Sequence, residues 1–114
     1  MSHRIAQLSS ALQIEIGQII HRTIDVGPGA LITVDHVRVT ADLQHATVAV
    51  RVFPTHKQGT ALAALRRART AIVEVLNERV PMRKLPRLIF AIAEDEPERP
   101  TDIESLLDMI KREG

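Results

Sequence analysis

The sequence predicts an α+β domain of order α-β-β-α-β-α, in which three strands form one sheet and the helices cover one of its faces. Residues 4–23 and 62–80 carry apolar side chains three or four positions apart, the spacing of a helix with one buried side. Residues 31–40, 46–52 and 88–92 are rich in β-branched and aliphatic residues with a period near two, as half-buried strands are. All 6 prolines fall outside these segments.

In the first helix Ile5, Leu8, Leu12, Ile16, Ile19 and Ile20 make the inner stripe, with Ser2 as its N-cap. Asp25-Val26-Gly27-Pro28-Gly29 ends it, because Pro28 cannot continue the hydrogen-bond ladder and the glycines permit positive φ. In the first strand Ile32 and Val34 share one parity and Val37 and Val39 the other, so a β-bulge near Asp35-His36 is needed to keep all four on one face. Residues 41–44 turn around Asp42. In the second strand Ala46, Val48, Val50 and Val52 are expected to face inward and Thr47, Ala49 and Arg51 outward. The two strands make an antiparallel hairpin that Pro54 ends.

His56-Lys57-Gln58-Gly59 reads as a loop and Thr60 as the cap of the long helix, which stops before Pro81. Leu88, Phe90 and Ile92 form the inner side of the third strand, with Pro86 at its start, where a missing N–H is tolerated. Residues 94–100 are an acidic, proline-bearing connector. Thr101-Asp102-Ile103-Glu104 has the form of a capping box, and Ile103, Leu106, Leu107 and Ile110 trace a short amphipathic helix after it. Its acids lie first and Lys111-Arg112 last, which suits the helix dipole.

The 114 residues fit one small domain, taken as residues 1–114. The core is aliphatic, since Phe53 and Phe90 are the only aromatic residues, and both are expected to pack inside. Exposed aromatics for stacking bases are then missing, which argues against a sheet that reads single strands by stacking. Cysteine is absent, which excludes a disulfide framework, a thiolate zinc site and a cysteine nucleophile. No signal-peptide core and no apolar run of the ~20 residues that span a bilayer are present, so a cytoplasmic protein without a membrane partner is expected.

His3, His21, His36, His45 and His56 show no metal-ligand spacing and are expected at the surface. Asp35-His36 offers no catalytic relay if adjacent strand residues point to opposite faces. Gly27-Pro28-Gly29 lacks the Lys-Ser/Thr of a phosphate loop. No catalytic residue, metal or cofactor is expected, and no enzyme activity.

Net charge is only +1, so nucleic-acid binding would have to come from local clustering. Clusters exist. Arg66, Arg67 and Arg69 lie in the middle of the long helix, and Arg79, Arg83, Lys84 and Arg87 follow at its exit and at the entry to the third strand. The plain alternative is a solvated helix face with cations near its C-terminal end. Arg69 does not fit that alternative easily. At roughly 100° per residue it falls inside the apolar sector between Leu62 and Leu76. A buried unpaired guanidinium is costly. The helix therefore breaks phase near Ala68-Arg69-Thr70, or Arg69 snorkels along the core edge, or an anion meets it there.

Arg4-Ile5-Ala6-Gln7, Ile32-Thr33-Val34 with Val37-Arg38-Val39-Thr40, Asp42-Leu43, Ala46-Thr47-Val48, the helix from Leu65 to Leu76, and Arg83-x-x-Pro86-x-Leu88-x-Phe90 occur in the order seen in the bacterial ribosome-binding factor A family, which the chain resembles over most of its length. The resemblance implies a type II KH-like fold with a helix–kink–helix in place of the usual Gly-x-x-Gly loop. The family's kink carries Ala-x-Gly, aligned here with Ala68-Arg69-Thr70, so Thr70 departs from the pattern. The resemblance further implies a monomeric factor that binds the small ribosomal subunit and its rRNA late in assembly, notably in the cold. The expected RNA-binding residues are Arg66, Arg67, Ala68, Arg69, Thr70, Arg79, Arg83, Lys84 and Arg87. The runner-up is a protein-interaction module of the same fold with little or no RNA binding.

Overall fold

A computed structural model describes residues 2–80 and 82–95. Helix α1 spans Ser2–Thr23, strand β1 Leu31–Val39 and strand β2 His45–Phe53. A single 3-10 turn, Thr55–Lys57, leads into helix α2, Gln58–Arg67, and helix α3, Arg69–Arg79, follows directly. Strand β3 is Arg87–Ile92, with another 3-10 turn at Ala93–Asp95. The side chain of Ser2, the acidic connector beyond Asp95, the capping box and the C-terminal helix expected from residues 101–112 lie outside the described residues.

The sheet has the order β1-β2-β3. β1 and β2 pair antiparallel from Leu31 opposite Phe53 to Val39 opposite Ala46, and the register shifts between Val34 and His36. That shift is the bulge expected at Asp35-His36, and it puts Val37 and Val39 in the core although their parity differs from that of Val34. β3 lies parallel to β2, from His45 opposite Arg87 to Val50 opposite Ile92. A parallel partner needs a crossover, which the α2–α3 segment supplies.

The helices cover one face of this sheet. Leu12, Ile16, Ile19 and Ile20 of α1, Ala61 and Leu65 of α2, and Ile72 and Leu76 of α3 pack on Val48, Val50, Leu88, Phe90 and Ile92. Ile5 and Leu8, the remaining members of the α1 stripe, are partly buried at its margin. Gly27 and Gly29 both take positive φ, 96° and 80°, at the stop between α1 and β1.

Three expectations about local structure are corrected. Helix α2 begins at Gln58, so Thr60 is inside it; Lys57 holds the N-cap position without a side-chain cap bond. The loop expected at residues 56–59 is instead the 3-10 turn running into that helix. Thr47 and Ala49, expected outward, are 1% and 0% exposed. They are small side chains on the middle strand, set between Arg38 and Ile89 and between His36 and Ala91 in register, so larger neighbours shade Thr47 on both sides and Ala49 on the His36 side.

Candidate nucleic-acid interface

The long helix does break where Arg69 requires it. Ala68 leaves helical geometry with φ −87° and ψ 1°, in the bridge region that any L-residue can occupy. Its N–H still donates to the Ala64 carbonyl at 3.0 Å, and its own carbonyl accepts from the Ile72 N–H at 2.9 Å. Because φ stays negative, the kink needs no glycine. Thr70 sits exposed in the first turn of α3, past the break.

Arg69 is the first residue of α3 and is half-buried. Its guanidinium carbon lies 5.9 Å from the centroid of the Phe90 ring, within cation–π range. Its Nε is buried and has no hydrogen-bond partner. Burial first, then the charge of Arg87 and then that of Arg66, lowers its pKa below the usual arginine value. Among the described residues no acid pairs with Arg66, Arg69 or Arg87; the acids that do pair with a cation are Asp35, Glu94 and Glu15, with Arg51, His36 and Arg79. The start of α3 adds the positive end of its dipole to the same place.

The nine residues expected to bind RNA therefore separate. Arg66 and Arg69 flank the kink, and Arg87 of β3, 18 positions from Arg69 along the chain, is near enough for its charge, like that of Arg66, to act on Arg69. Arg67 and Thr70 are exposed beside them, and Ala68 is the half-buried break itself. Arg83 and Lys84 are exposed in the segment before β3. Arg79 lies at the far end of α3, where it reaches Glu15 of α1 at 3.4 Å, so part of its charge is answered within the fold.

Two further expectations fail. Phe53 is 70% exposed, and its cross-strand partner Leu31 is 55% exposed. Phe53 shares the parity of Thr47, Ala49 and Arg51, on the side of β2 away from the helix-packed core, so its apolar context does not bury it. Phe90 is buried as expected. Asp35 and His36, expected on opposite faces, touch at 2.8 Å from His36 Nδ1 to Asp35 Oδ2, because the bulge breaks the alternation there. Arg51 Nε donates to the other oxygen of Asp35 at 2.8 Å, and the hydrogen bonds from Arg51 and then His36 hold the Asp35 carboxyl below its usual pKa. This group ties the bulge to the middle strand. Of the five histidines, His21 and His56 are exposed as expected, His36 and His45 are half-buried, and the side chain of His3 lies outside the described residues.

No cluster of metal-ligating side chains occurs among the described residues, and no described helix is long and apolar enough to cross a membrane. A hollow of about 390 Å³ between the start of α1 and the hairpin turn is lined by Ile5, Leu8, Leu43 and Met82 with Arg4 at its edge, and holds no convergent polar set.

The family model for ribosome-binding factor A matches residues 4–107. Ribosome-binding factor A of Trichodesmium erythraeum is 34% identical over 117 residues, covering 99% of this chain and 84% of that protein. The crystal structure of ribosome-binding factor A from Thermus thermophilus superposes with a TM-score of 0.73 at 35% identity, covering 82% of this chain and 99% of that one. Coordinates of the Thermus thermophilus factor fitted into the cryo-EM map of a 30S–RbfA complex give a TM-score of 0.67 at 34% identity, covering 79% of this chain and 96% of that one.

Proposed function

Because the chain belongs to the ribosome-binding factor A family, we propose that it binds the small ribosomal subunit and assists late maturation of its rRNA, with the α2–α3 kink and the start of β3 as the contact surface. The observation that carries the reading is Arg69, a half-buried guanidinium at a helix break, crowded by two more arginines and answered by no described acid. A fold keeps such a charge at a cost, and RNA phosphate removes that cost. Arg66, Arg67, Arg83 and Lys84 extend the positive surface around it, Ala68 and Thr70 shape it, and Arg79 lies at its margin.

The mechanism is binding without turnover. A protein that holds one arrangement of the rRNA more tightly than another shifts the population toward it by the difference in affinity. That advantage is greatest where RNA is slow to leave misfolded states, as in the cold. The 114 residues act as one domain, as a monomer, in the cytoplasm where subunits assemble.

Co-sedimentation with small subunits over a salt series tests the reading. Arg66→Glu with Arg69→Glu is expected to weaken association and to flatten its salt dependence by about one unit of log–log slope for each phosphate no longer neutralised. Unchanged association and slope would defeat it. A protein-docking reading has one observation in its favour, the exposed Leu31–Phe53 pair. It expects association to survive the double charge reversal and to fall with Phe53→Ser.

A further inference from the structure

We propose that residues 101–112 form a helix that docks on the outer face of the sheet, opposite α1, α2 and α3, and closes its Thr47–Ile89 end. The inference is independent of the ribosomal reading. It concerns which face of the domain is left for a partner.

Burial on that face carries it. Thr47, Ala49 and Ile89 are 1%, 0% and 4% exposed. Their parity is opposite to that of Val48, Val50, Leu88 and Phe90, and neither Ala49 nor Ile89 belongs to the core on which the described helices pack. Neighbours within a sheet screen a side chain from its flanks, not from above. Ile89 shows this most clearly. The order β1-β2-β3 puts it on an edge strand, with the small Thr47 on one flank and no described strand on the other. An isoleucine there is open to water unless another segment lies over it.

The chain leads there. β3 ends at Ile92, opposite Val50, and in the turn that follows Glu94 reaches Arg51 at 3.7 Å. Arg51 has the outer parity, so the chain leaves β3 toward the outer side. Residues 96–100 reach about 17 Å when extended. Returning level with Ile89 takes about 10 Å along the strand, and rising to a packed layer takes about 10 Å more, nearly at right angles. The connector spans both.

The segment's sequence fits the face. Ile103, Leu106, Leu107 and Ile110 make one apolar stripe, and at roughly 100° per residue Asp102 and Glu104 fall on its two edges. The face has the complementary pattern, an apolar centre at Ala49 and Ile89 with Arg38 of β1 on one side and Arg87 of β3 on the other. A helix over 101–112 is about 18 Å long. It spans the Thr47–Ile89 end and leaves Leu31 and Phe53, at the other end of the face, exposed as they are. With Glu96, Glu98, Asp102 and Glu104 brought over it, this end of the sheet repels RNA phosphate.

Methyl NMR of the full chain tests it. The methyls of Ala49 and Ile89 are expected to show nuclear Overhauser contacts to those of Leu106, Leu107 and Ile110. These contacts are expected within one chain, so a filtered experiment on mixed labelled and unlabelled chains loses them. A soluble paramagnetic agent is expected to broaden Ile89 as little as the buried Ile72 and far less than the exposed Leu31. Leu106→Asp with Leu107→Asp is expected to abolish the contacts and to raise the broadening of Ile89 to the level of Leu31. Absence of the contacts in the wild type would overturn the docking, whether or not the double variant folds. So would contacts found only between chains, which make a second copy the occupant, or an Ile89 still protected in a folded double variant. Saturating shifts of Ala49 and Ile89 with a short single-stranded RNA, accompanied by loss of the contacts, would assign the face to RNA and overturn it as well.

Discussion

The guanidinium of Arg69 rests 5.9 Å from the centre of the Phe90 ring, the one aromatic ring inside the core. The contact gives an arginine stem and head a place to lie at the core edge, where a solvated arginine would otherwise point away. It also leaves Nε without a partner, so the same geometry that positions the side chain withholds its satisfaction. Positioning and cost on one residue are the mark of a site held ready for a ligand.

Arg69→Met keeps the stem and its packing but removes the charge. The missing cation–π attraction and the relieved desolvation and repulsion nearly offset each other, since the side chain is only partly buried and solvent screens the rest. Equilibrium unfolding is expected to show stability unchanged or higher by about 0.5 kcal/mol, a rise in Tm of about 2–4 °C at most. Small-subunit association should weaken in the same protein. A loss above about 1 kcal/mol would mark Arg69 as a structural residue.

Thr70→Gly restores the glycine of the family's Ala-x-Gly. Because the break sits at Ala68 with negative φ, the glycine has no strain to relieve. It replaces an exposed helical threonine by the poorer helix former, so a small loss of about 0.3–0.5 kcal/mol is expected in urea unfolding. A gain in stability would show that the kink is under backbone strain at Thr70.

Asp35→Asn removes the carboxylate that holds Arg51 and His36 across the bulge. The folded pKa of Asp35 is depressed, chiefly by Arg51, so its contribution to stability is complete above the unfolded carboxyl value of about 4 and is lost as pH falls through the lower folded value. The stability difference between wild type and Asp35→Asn is expected to be constant from neutral pH down to about 5 and to narrow as pH falls below about 4. Urea unfolding at pH 7 and pH 3 measures it, and a gap at pH 3 as large as that at pH 7 would contradict the assignment.

The elements were legible because they are written in local periods. The opposed parities of Ile32–Val34 and Val37–Val39 predict a bulge at Asp35-His36, and the register shift lies there. The misplaced charge of Arg69 leaves a broken helix, a snorkelling side chain or a bound anion open, and Ala68 does break the helix. What failed was of another kind. Phe53 has an apolar strand context, but it shares the parity of Arg51, on the face of β2 that the described helices leave uncovered. Thr47 and Ala49 have a polar and a small side chain that period two places outward, but their burial comes from neighbours on β1 and β3. The contact between Asp35 and His36 follows from the bulge, where strict alternation of faces does not hold.

The sequence by itself determined where helices and strands lie, which faces are apolar, and that Arg69 sits wrongly on an unbroken helix, since each is a matter of residues within a turn or two of one another. The tertiary structure alone decided that β3 runs parallel beside β2, and that the charge of its first residue, Arg87, acts on Arg69 while Arg79 is drawn to Glu15. Approaches of that kind depend on the path of the crossover and on the packing of helices over the sheet. Coulomb and ring contacts decay within a few ångströms, so they form only after that packing has chosen which distant residues meet.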